Sequence, residues 1–187
     1  MNVAIIPARG GSVRVPRKNV RDFRGKPMLC YPIEAAKASN LFQLVVVSTD
    51  DDEIEQVALE AGAVVMRRPT DDGTKGTQEI ARDVLLQLPQ AHFACVIYPC
   101  SPLLLAADLA RGVQALRGLC YVMSTYPDGA DAGCFYWGRA QAFREGLSLD
   151  HPSTVFVPLP AERCIDINTI GDWHVAESKY DALRRAP

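Results

Sequence analysis

Short apolar runs alternate with helical patterns along most of this chain, and this alternation restricts the fold more than any other feature of the sequence. The run 44–48 is continuous and rich in β-branched residues, as buried parallel strands are. Strands joined by helices of this kind form right-handed βαβ units. The chain is therefore predicted to be an α/β protein with an open, mostly parallel sheet and helices on both faces. Predicted strands cover 3–6, 44–48, 63–66, 94–98 and 119–124; predicted helices cover 28–38, 77–88 and 106–116, with one more between the acidic start 49–53 and Gly62.

The last third of the chain is less regular. It carries two strand-like runs, 134–137 and 155–157, and a closing helical pattern at 170–183. No internal repeat and no low-complexity linker divides the 187 residues. Domains usually contain ~150 residues, so a chain of this length favours one domain. Residues 1–187 are therefore expected to form a single domain.

The predicted topology also indicates where a ligand binds. In open α/β sheets, ligands bind beyond the carboxyl ends of the strands. The segments that follow Ile6, Ser48, Tyr98 and Ser124 are therefore the candidate binding loops.

Basic residues are concentrated in the first of these loops. Seven of the twenty Lys and Arg residues lie between Arg9 and Lys26, where Asp22 is the only acid, although the whole chain has a net charge of −2. Gly10 and Gly11 allow the backbone to turn its N–H groups toward an anion, and Arg and Lys side chains donate to phosphates. The loop therefore predicts a polyphosphate site.

Two common phosphate motifs do not fit this loop. Walker A requires Gly-x-x-x-x-Gly-Lys-Ser/Thr, but Val20 stands five positions before Gly25, and Pro27 follows Lys26. The dinucleotide fingerprint requires three glycines that open a helix, whereas a long loop with prolines follows here. Two other interpretations stay open: a solvated basic loop whose glycines only turn the chain, and an RNA-binding loop. The lone aromatic residue Phe23 and the net charge disfavour the second.

Several blocks of the sequence resemble the acylneuraminate cytidylyltransferases, which activate sugar acids. The block 131–138 is similar to the pseudaminic acid cytidylyltransferase branch in particular. The blocks span nearly the whole chain in the right order, so the resemblance is specific. The other matching blocks are 5–12, 18–19, 23–27, 46–51, 68–69, 98–102, 166–169, 172–173 and 176–177.

The resemblance implies a Rossmann-like nucleotidyltransferase that acts in the synthesis of cell-surface glycans. Such an enzyme transfers CMP from CTP to the anomeric hydroxyl of a nine-carbon keto acid sugar, pseudaminic or sialic acid-like, and releases pyrophosphate. Arg9, Lys18 and Asp166 would be catalytic, with Lys18 stabilising charge at the α-phosphate. Transfer of this kind requires positioning and cations more than a covalent nucleophile. The resemblance implies that CTP is bound by Ala8, Arg9, Gly10, Gly11, Ser12, Asn19, Arg68, Thr77, Pro99 and Ser101.

Asp166 and Asn168 occupy the Asp-x-Asp/Asn metal motif of that family, and the resemblance implies that they bind Mg²⁺. Residues two apart on a strand point to the same face, so both side chains could meet one ion. Mg²⁺ is commonly held by one or two carboxylates together with phosphates and water. A helix-capping or turn role for the pair stays open, since Thr169 precedes a predicted helix.

Three features depart from the family pattern. Val13 stands where the family usually carries a second phosphate-binding lysine, and Asn168 replaces what is often an aspartate. The third departure is a shortened insertion near 124–131, because the family has a longer segment there that helps to bind the sugar and builds a dimer arm. A homodimer therefore stays open. So do two other functions: a CTP-binding relative with weakened catalysis, and a cytidylyltransferase for another sugar acid.

The remaining sequence features concern the compartment and the core. The chain shows no signal peptide, no run of about 20 apolar residues and no Cys-x-x-Cys spacing. We therefore expect a cytoplasmic protein with reduced cysteines, without membrane or nucleic-acid partners. Cys100 is of particular interest because it lies in a candidate binding loop. Tyr136 and Trp137 are more typical of a core than of a sugar-binding platform.

Overall fold

A central sheet of seven strands organises the computed structural model, which describes residues 1–70 and 73–185. The strands of this sheet are β1 (Asn2–Ala8), β4 (Leu44–Thr49), β5 (Val64–Arg67), β6 (Phe93–Ile97), β7 (Tyr121–Thr125), β8 (Asp131–Arg139) and β9 (Thr154–Pro158). Their order across the sheet is β5–β4–β1–β6–β8–β7–β9. A separate two-stranded hairpin is formed by β2 (Asp22–Phe23) and β3 (Lys26–Pro27).

The described residues also form six α-helices and one 3₁₀ turn. The helices are α1 (Cys30–Ala38), α2 (Asp52–Glu60), α3 (Thr77–Leu86), α4 (Ala106–Ala115), α5 (Ala140–Glu145) and α6 (Ile170–Arg185), and the 3₁₀ turn is Ala161–Arg163. Helices α1 to α5 lie between strands, whereas the 3₁₀ turn and α6 follow the last strand. The acidic start predicted for α2 is confirmed. The Asp51 carboxylate accepts the N–H groups of Glu53 and Ile54 at 3.1 and 3.0 Å. This cap satisfies two of the N–H groups that a helix start leaves without partners.

Two apolar layers cover the sheet, one on each face. Along β1, Ala4 and Ile6 point into the layer formed with α1, α2 and α4, whereas Val3 and Ile5 point into the layer formed with α3 and α5. This alternation follows from the two-residue period of a strand. The predicted α/β fold with helices on both faces of the sheet is therefore confirmed. The aromatic side chain of Trp137 lies in the first layer and that of Tyr136 in the second, so both belong to the core, as expected.

The sheet is mostly parallel, with one reversed strand. β1 pairs in parallel with β4 and β6, β4 with β5, and β7 with β9. β8 lies antiparallel between β6 and β7. The sequence predicted a strand here but not its direction. The short connection 126–130 leads from β7 directly into β8, and only antiparallel neighbours can be joined without a long crossover.

The β2–β3 hairpin was not predicted, because the basic loop was expected to lack regular structure. Arg24 and Gly25 both have positive φ angles, 51° and 97°, which is the signature of a type I′ hairpin turn. The Phe23 ring packs edge-to-face against Trp173 and Tyr180 of α6, with ring centroids 5.4 and 5.6 Å apart. These residues belong to a satellite core, separate from the two main layers, that joins the basic loop to the last helix.

Within the described ranges, no helix combines the length and the apolar character needed to cross a bilayer.

Candidate functional site

A cleft of about 320 Å³ opens at the carboxyl ends of the parallel strands. The chain passes from β1 to β4 and β5 on one side, then returns to β6 on the other side of β1. The loops that follow β1 and β6 therefore diverge, and such a switch point is where open α/β sheets bind ligands. The cleft lies where the topology predicted it.

Most of the predicted site residues line this cleft. The loop after β1 contributes one wall, the loop after β6 contributes another, and the segment before α6 closes the end. The predicted residues that line the cleft are Arg9, Ser12, Lys18, Asn19, Arg68, Thr77, Pro99, Asp166 and Asn168.

The other predicted residues, Ala8, Gly10, Gly11 and Ser101, lie outside the lining. The Gly10 N–H donates to the Asp50 carboxylate at 3.0 Å, so it does not point to an anion in the cleft. A Cβ added to Gly10 would lie 2.4 Å from a carboxylate oxygen of Asp51, so this glycine permits close packing against the start of α2. Ala8 is buried at the end of β1, and Ser101 is buried beneath its loop.

Several lining residues were not among the predicted ligands. Arg14, Lys75, Tyr98 and Gly133 face the cleft together with Cys100. Lys75 directly precedes the Gly-Thr start of α3, and it forms an ion pair with Asp83. A lysine beside a helix start at the binding edge was the sequence signal that could have identified it.

The described lining is strongly cationic. It includes the side chains of Arg9, Arg14, Lys18, Arg68 and Lys75, against the single carboxylate of Asp166. Arg68 is partly buried, and burial lowers the pKa of its guanidinium, an effect that the nearby Asp50 carboxylate opposes. A concave site whose charged residues are mainly cations favours a multiply charged anion.

Lys18 connects two walls of the cleft. Its ammonium donates to the backbone carbonyl of Ile167 at 2.6 Å. Ile167 is buried in the satellite core, whereas its neighbours Asp166 and Asn168 line the cleft. The lysine therefore lies beside the predicted metal pair, although 149 positions separate it from Ile167 in the sequence.

The predicted metal pair lies on an extended segment outside the sheet. The expectation that Asp166 and Asn168 sit on a strand is therefore wrong, because residues 164–168 pair with no neighbouring strand. Their shared orientation is confirmed: the Asn168 amide donates to the Asp166 carboxylate at 2.5 Å. An extended backbone has the same two-residue alternation whether or not it is paired.

A capping box at the start of α6 holds this segment in place. The Asp172 carboxylate accepts the N–H groups of Asn168 and Thr169 at 2.9 and 2.7 Å, and the Thr169 hydroxyl accepts the Asp172 N–H at 3.2 Å. The bond from the Asn168 N–H, followed by those from Thr169, holds the pKa of Asp172 below its usual range. Thr169 and Asp172 supply the cap, which leaves the side chains of Asp166 and Asn168 available to the cleft.

Divalent cations such as Mg²⁺ bind oxygen donors, and the Asp166–Asn168 pair supplies two of them. Among residues 1–70 and 73–185, no group of three or more His, Cys, Asp or Glu side chains is arranged to hold a metal. Asp166 and Asn168 offer a carboxylate and an amide oxygen beside a cationic cleft. Mg²⁺ usually takes one or two protein carboxylates and completes its shell with phosphate oxygens and water. The pair fits a hard divalent cation that binds together with a polyphosphate.

Ion pairs and hydrogen bonds anchor the basic loop to the start of α2. Arg17 has a φ of 55°, and its guanidinium donates to the Asp51 carboxylate at 2.5 Å and pairs with Glu53. The hydrogen bond from Arg17 lowers the pKa of Asp51 below its usual range. This contact holds the outer part of the loop away from the cleft, so the inner residues Ser12 and Lys18 can face it.

Comparison with known proteins gives a family match. The family model described as cytidylyltransferase matches residues 3–132. The chain is 34% identical to pseudaminic acid cytidylyltransferase from Campylobacter jejuni, over 96% of this chain and 96% of that protein. It is 28% identical to N-acylneuraminate cytidylyltransferase A from Danio rerio, over 94% of this chain and 50% of that protein.

A solved structure shows the same fold. The structure of CMP:2-keto-3-deoxy-manno-octonic acid synthetase complexed with CTP superposes with a TM-score of 0.80, at 18% identity, over 97% of this chain and 99% of that one. The alignment with the Campylobacter jejuni relative extends over 223 residues, more than the 187 of this chain. Part of that relative therefore has no counterpart here.

Proposed function

This chain belongs to the cytidylyltransferase family, and we propose that it transfers CMP from CTP to the anomeric hydroxyl of a nine-carbon keto acid sugar, releasing pyrophosphate. The sugar acid is of the pseudaminic or sialic acid type, because the relatives that cover most of this chain act on such acids by name. The chain is thus a nucleotidyltransferase.

The observation that carries this proposal is the cleft itself. It combines a cationic lining at the switch point of the sheet with an Asp166–Asn168 pair at its end. A nucleoside triphosphate carries several negative charges on its phosphates and binds divalent cations, so it complements both features. The cleft volume of about 320 Å³ is at the lower end of the usual range for small-molecule sites.

The proposed reaction needs positioned charges rather than a protein nucleophile. The anomeric hydroxyl oxygen bonds to the α-phosphorus, the bond to the bridging oxygen of pyrophosphate breaks, and the hydroxyl proton leaves to solvent or a phosphate oxygen. Negative charge is stabilised in this step by cations aimed at the phosphates. We assign this role to Arg9 and Lys18, with Arg14 and Lys75 as further cations on the lining.

The remaining predicted ligands would orient the nucleotide. Ser12 offers a hydroxyl from the loop after β1, and Arg68 and Thr77 also line the cleft. The Thr77 hydroxyl shares a 2.8 Å hydrogen bond with the buried Tyr136 hydroxyl, which fixes its orientation. Pro99 stiffens the loop after β6. We propose that Asn19, Arg68 and Thr77 help to hold the ribose and base, whereas Ser12 binds the phosphates.

Asp166 and Asn168 would hold the divalent cation, which we propose to be Mg²⁺. When bound, such an ion neutralises charge on the phosphates. The protein's part is to present the two oxygen donors on one side of an extended segment and to keep that segment fixed. The Asp172 cap and the Lys18 contact with Ile167 do this.

We propose that this chain differs from its relatives at the sugar end of the site. β7 and β8 are joined by the short connection 126–130, with the Tyr126 N–H donating to the Ala130 carbonyl at 2.7 Å. We propose that residues 124–131 replace a longer sugar-binding and dimerisation segment. Val13 is exposed and adds no charge to the phosphate loop. Together with the short connection, this residue supports a second candidate function: a relative that binds CTP but transfers CMP from it only weakly. Transfer to another sugar acid is the third.

Three measurements distinguish these functions. The purified chain is incubated with CTP, Mg²⁺ and a panel of pseudaminic, sialic and eight-carbon keto acids, and pyrophosphate and CMP-sugars are quantified. Turnover with a nine-carbon acid supports the main proposal, and preference for the eight-carbon acid supports the third candidate. Binding of CTP in calorimetry without any turnover supports the second. Absence of CTP binding contradicts all three.

A further inference from the structure

A buried thiol connects the two loops that form the switch point. The Cys100 thiol, in the loop after β6, donates to the side-chain carbonyl of Asn19 at 3.3 Å. Asn19 lies near the end of the basic loop that follows β1. Both side chains are largely buried, with 8% of Cys100 and 4% of Asn19 exposed. The contact therefore lies in the wall of the cleft and is largely shielded from solvent.

The same Asn19 side-chain amide also contacts Arg9. Its NH₂ group donates to the backbone carbonyl of Arg9 at 2.9 Å. The backbone carbonyl of Asn19 accepts the Leu29 N–H at 2.9 Å, which fixes the main chain at this point. Because an amide has one accepting and one donating end, the Arg9 carbonyl and the Cys100 thiol together select one orientation of the side chain.

The chemistry of the thiol suits this role. Burial raises the pKa of the Cys100 thiol to about 12, an effect that nearby Lys18 opposes and Asp166 adds to. The thiol therefore keeps its proton and can donate. A thiolate would be an acceptor, and it would face the carbonyl end of Asn19 without a proton between them.

We propose that Cys100 is a positioning residue that orients the Asn19 amide and, through it, the Arg9 backbone in the phosphate-binding loop. It does not contact the reacting atoms. The inference rests on the proposed function, because the loop it orients is the one assigned to the phosphates of CTP. Without a donor at position 100, the Asn19 carbonyl is buried without this partner and the amide keeps only one of the two bonds that select its orientation, which loosens the Arg9 segment.

The first test compares variants at position 100. Cys100→Ser keeps an O–H donor, whereas Cys100→Ala removes it. Cys95→Ala is the matched control, since Cys95 is fully buried on β6 and is not among the residues that line the cleft. We expect Cys100→Ala to weaken CTP binding about ten-fold, Cys100→Ser to stay within about three-fold of the parent chain, and Cys95→Ala to lose thermal stability only.

The second test asks whether Cys100 acts through Asn19. In an Asn19→Ala background, Cys100→Ala should cause no further loss of CTP affinity, because the thiol has lost its acceptor. Affinity is measured by calorimetry at a temperature where every variant is folded. Additive losses, or a Cys100→Ser variant as weak as Cys100→Ala, would overturn the proposal.

A third measurement separates this inference from the proposed function. The side-chain NH₂ resonances of Asn19 in the nucleotide-free protein report its orientation without any CTP. They should stay shifted and protected in the parent chain and in Cys100→Ser, and move toward free-amide values in Cys100→Ala. Unchanged resonances in Cys100→Ala contradict the inference even if the chain is an active transferase. A chain that shows the expected resonances but does not bind CTP contradicts the proposed function alone.

Discussion

The ammonium of Lys18 donates a 2.6 Å hydrogen bond to the carbonyl of Ile167, the residue between Asp166 and Asn168. One lysine thus faces the cleft and also fixes the segment that carries the proposed metal ligands. A hydrogen bond from a charged donor contributes about 1.5–3 kcal/mol to stability, more than an average hydrogen bond, and its loss leaves the buried carbonyl without this partner. Loss of Lys18 should therefore affect both catalysis and the position of the metal pair.

Lys18→Ala is expected to lower kcat at least about 100-fold, as loss of a preorganised cation does. Steady-state rates at saturating CTP and Mg²⁺ measure this. Lys37→Ala is the matched control, because Lys37 also donates to a backbone carbonyl, that of Ala61 at 2.9 Å, but is not among the residues that line the cleft. Near-normal turnover in Lys18→Ala would remove the lysine from the mechanism.

Loss of the Arg9 side chain should lower the reaction rate as much as loss of Lys18. The neighbouring Gly73 offers a second test, because a side chain there would displace Arg9. Arg9→Ala is expected to lower the rate at least about 100-fold. A Cβ on Gly73 would lie 1.4 Å from a guanidinium nitrogen of Arg9, so Gly73→Ala should displace that side chain and raise the KM for CTP. Gly129→Ala is the control. Gly129 has nearly the same φ, 90° against 88°, but nothing lies within 4 Å of its added Cβ. Equal effects of the two glycine variants would point to backbone strain alone.

The charge of the metal pair should set the cation requirement. Asp166→Asn removes the only carboxylate of the pair and should raise the Mg²⁺ concentration for half-maximal rate at least about ten-fold. Asn168→Asp adds a carboxylate and should lower it. The rate is titrated with Mg²⁺ at fixed CTP, with the exposed Asp150→Asn as control. Opposite shifts in the two variants are the expected result, and shifts in the same direction would argue for a purely structural pair.

Acid should weaken the start of α6 through Asp172. The pKa of this carboxylate is lower in the folded protein, mainly because it accepts the Asn168 N–H. Its contribution to stability is therefore complete above the ordinary carboxyl pKa of about 3.9, and it is lost as the pH falls through the lower folded value. Asp172→Ala should cost about 1 kcal/mol at neutral pH and flatten the acid limb of the stability curve. Urea unfolding between pH 2 and 7 measures both, with the exposed Glu162→Gln as control. An unchanged acid limb would contradict this role.

Much of the site could be predicted because its signals are local. The Asp51 cap and the basic loop after β1 are contained within a few consecutive residues. The shared orientation of Asp166 and Asn168 follows from the alternation of any extended chain. Gly10 has a packing role that its sequence context did not reveal, since a Cβ added there would lie 2.4 Å from a carboxylate oxygen of Asp51.

The sequence by itself determined the layered α/β architecture, because hydrophobic periodicity reports which residues each element must bury. It also determined the binding edge, since parallel strands place their following loops on one side. Only the tertiary structure decided the direction of β8, the satellite core around Phe23 and the contact between Asn19 and Cys100. Those two residues are 81 positions apart, and no local pattern encodes their meeting. The order of the strands brings β1 beside β6, and the loops that follow them into hydrogen-bonding distance.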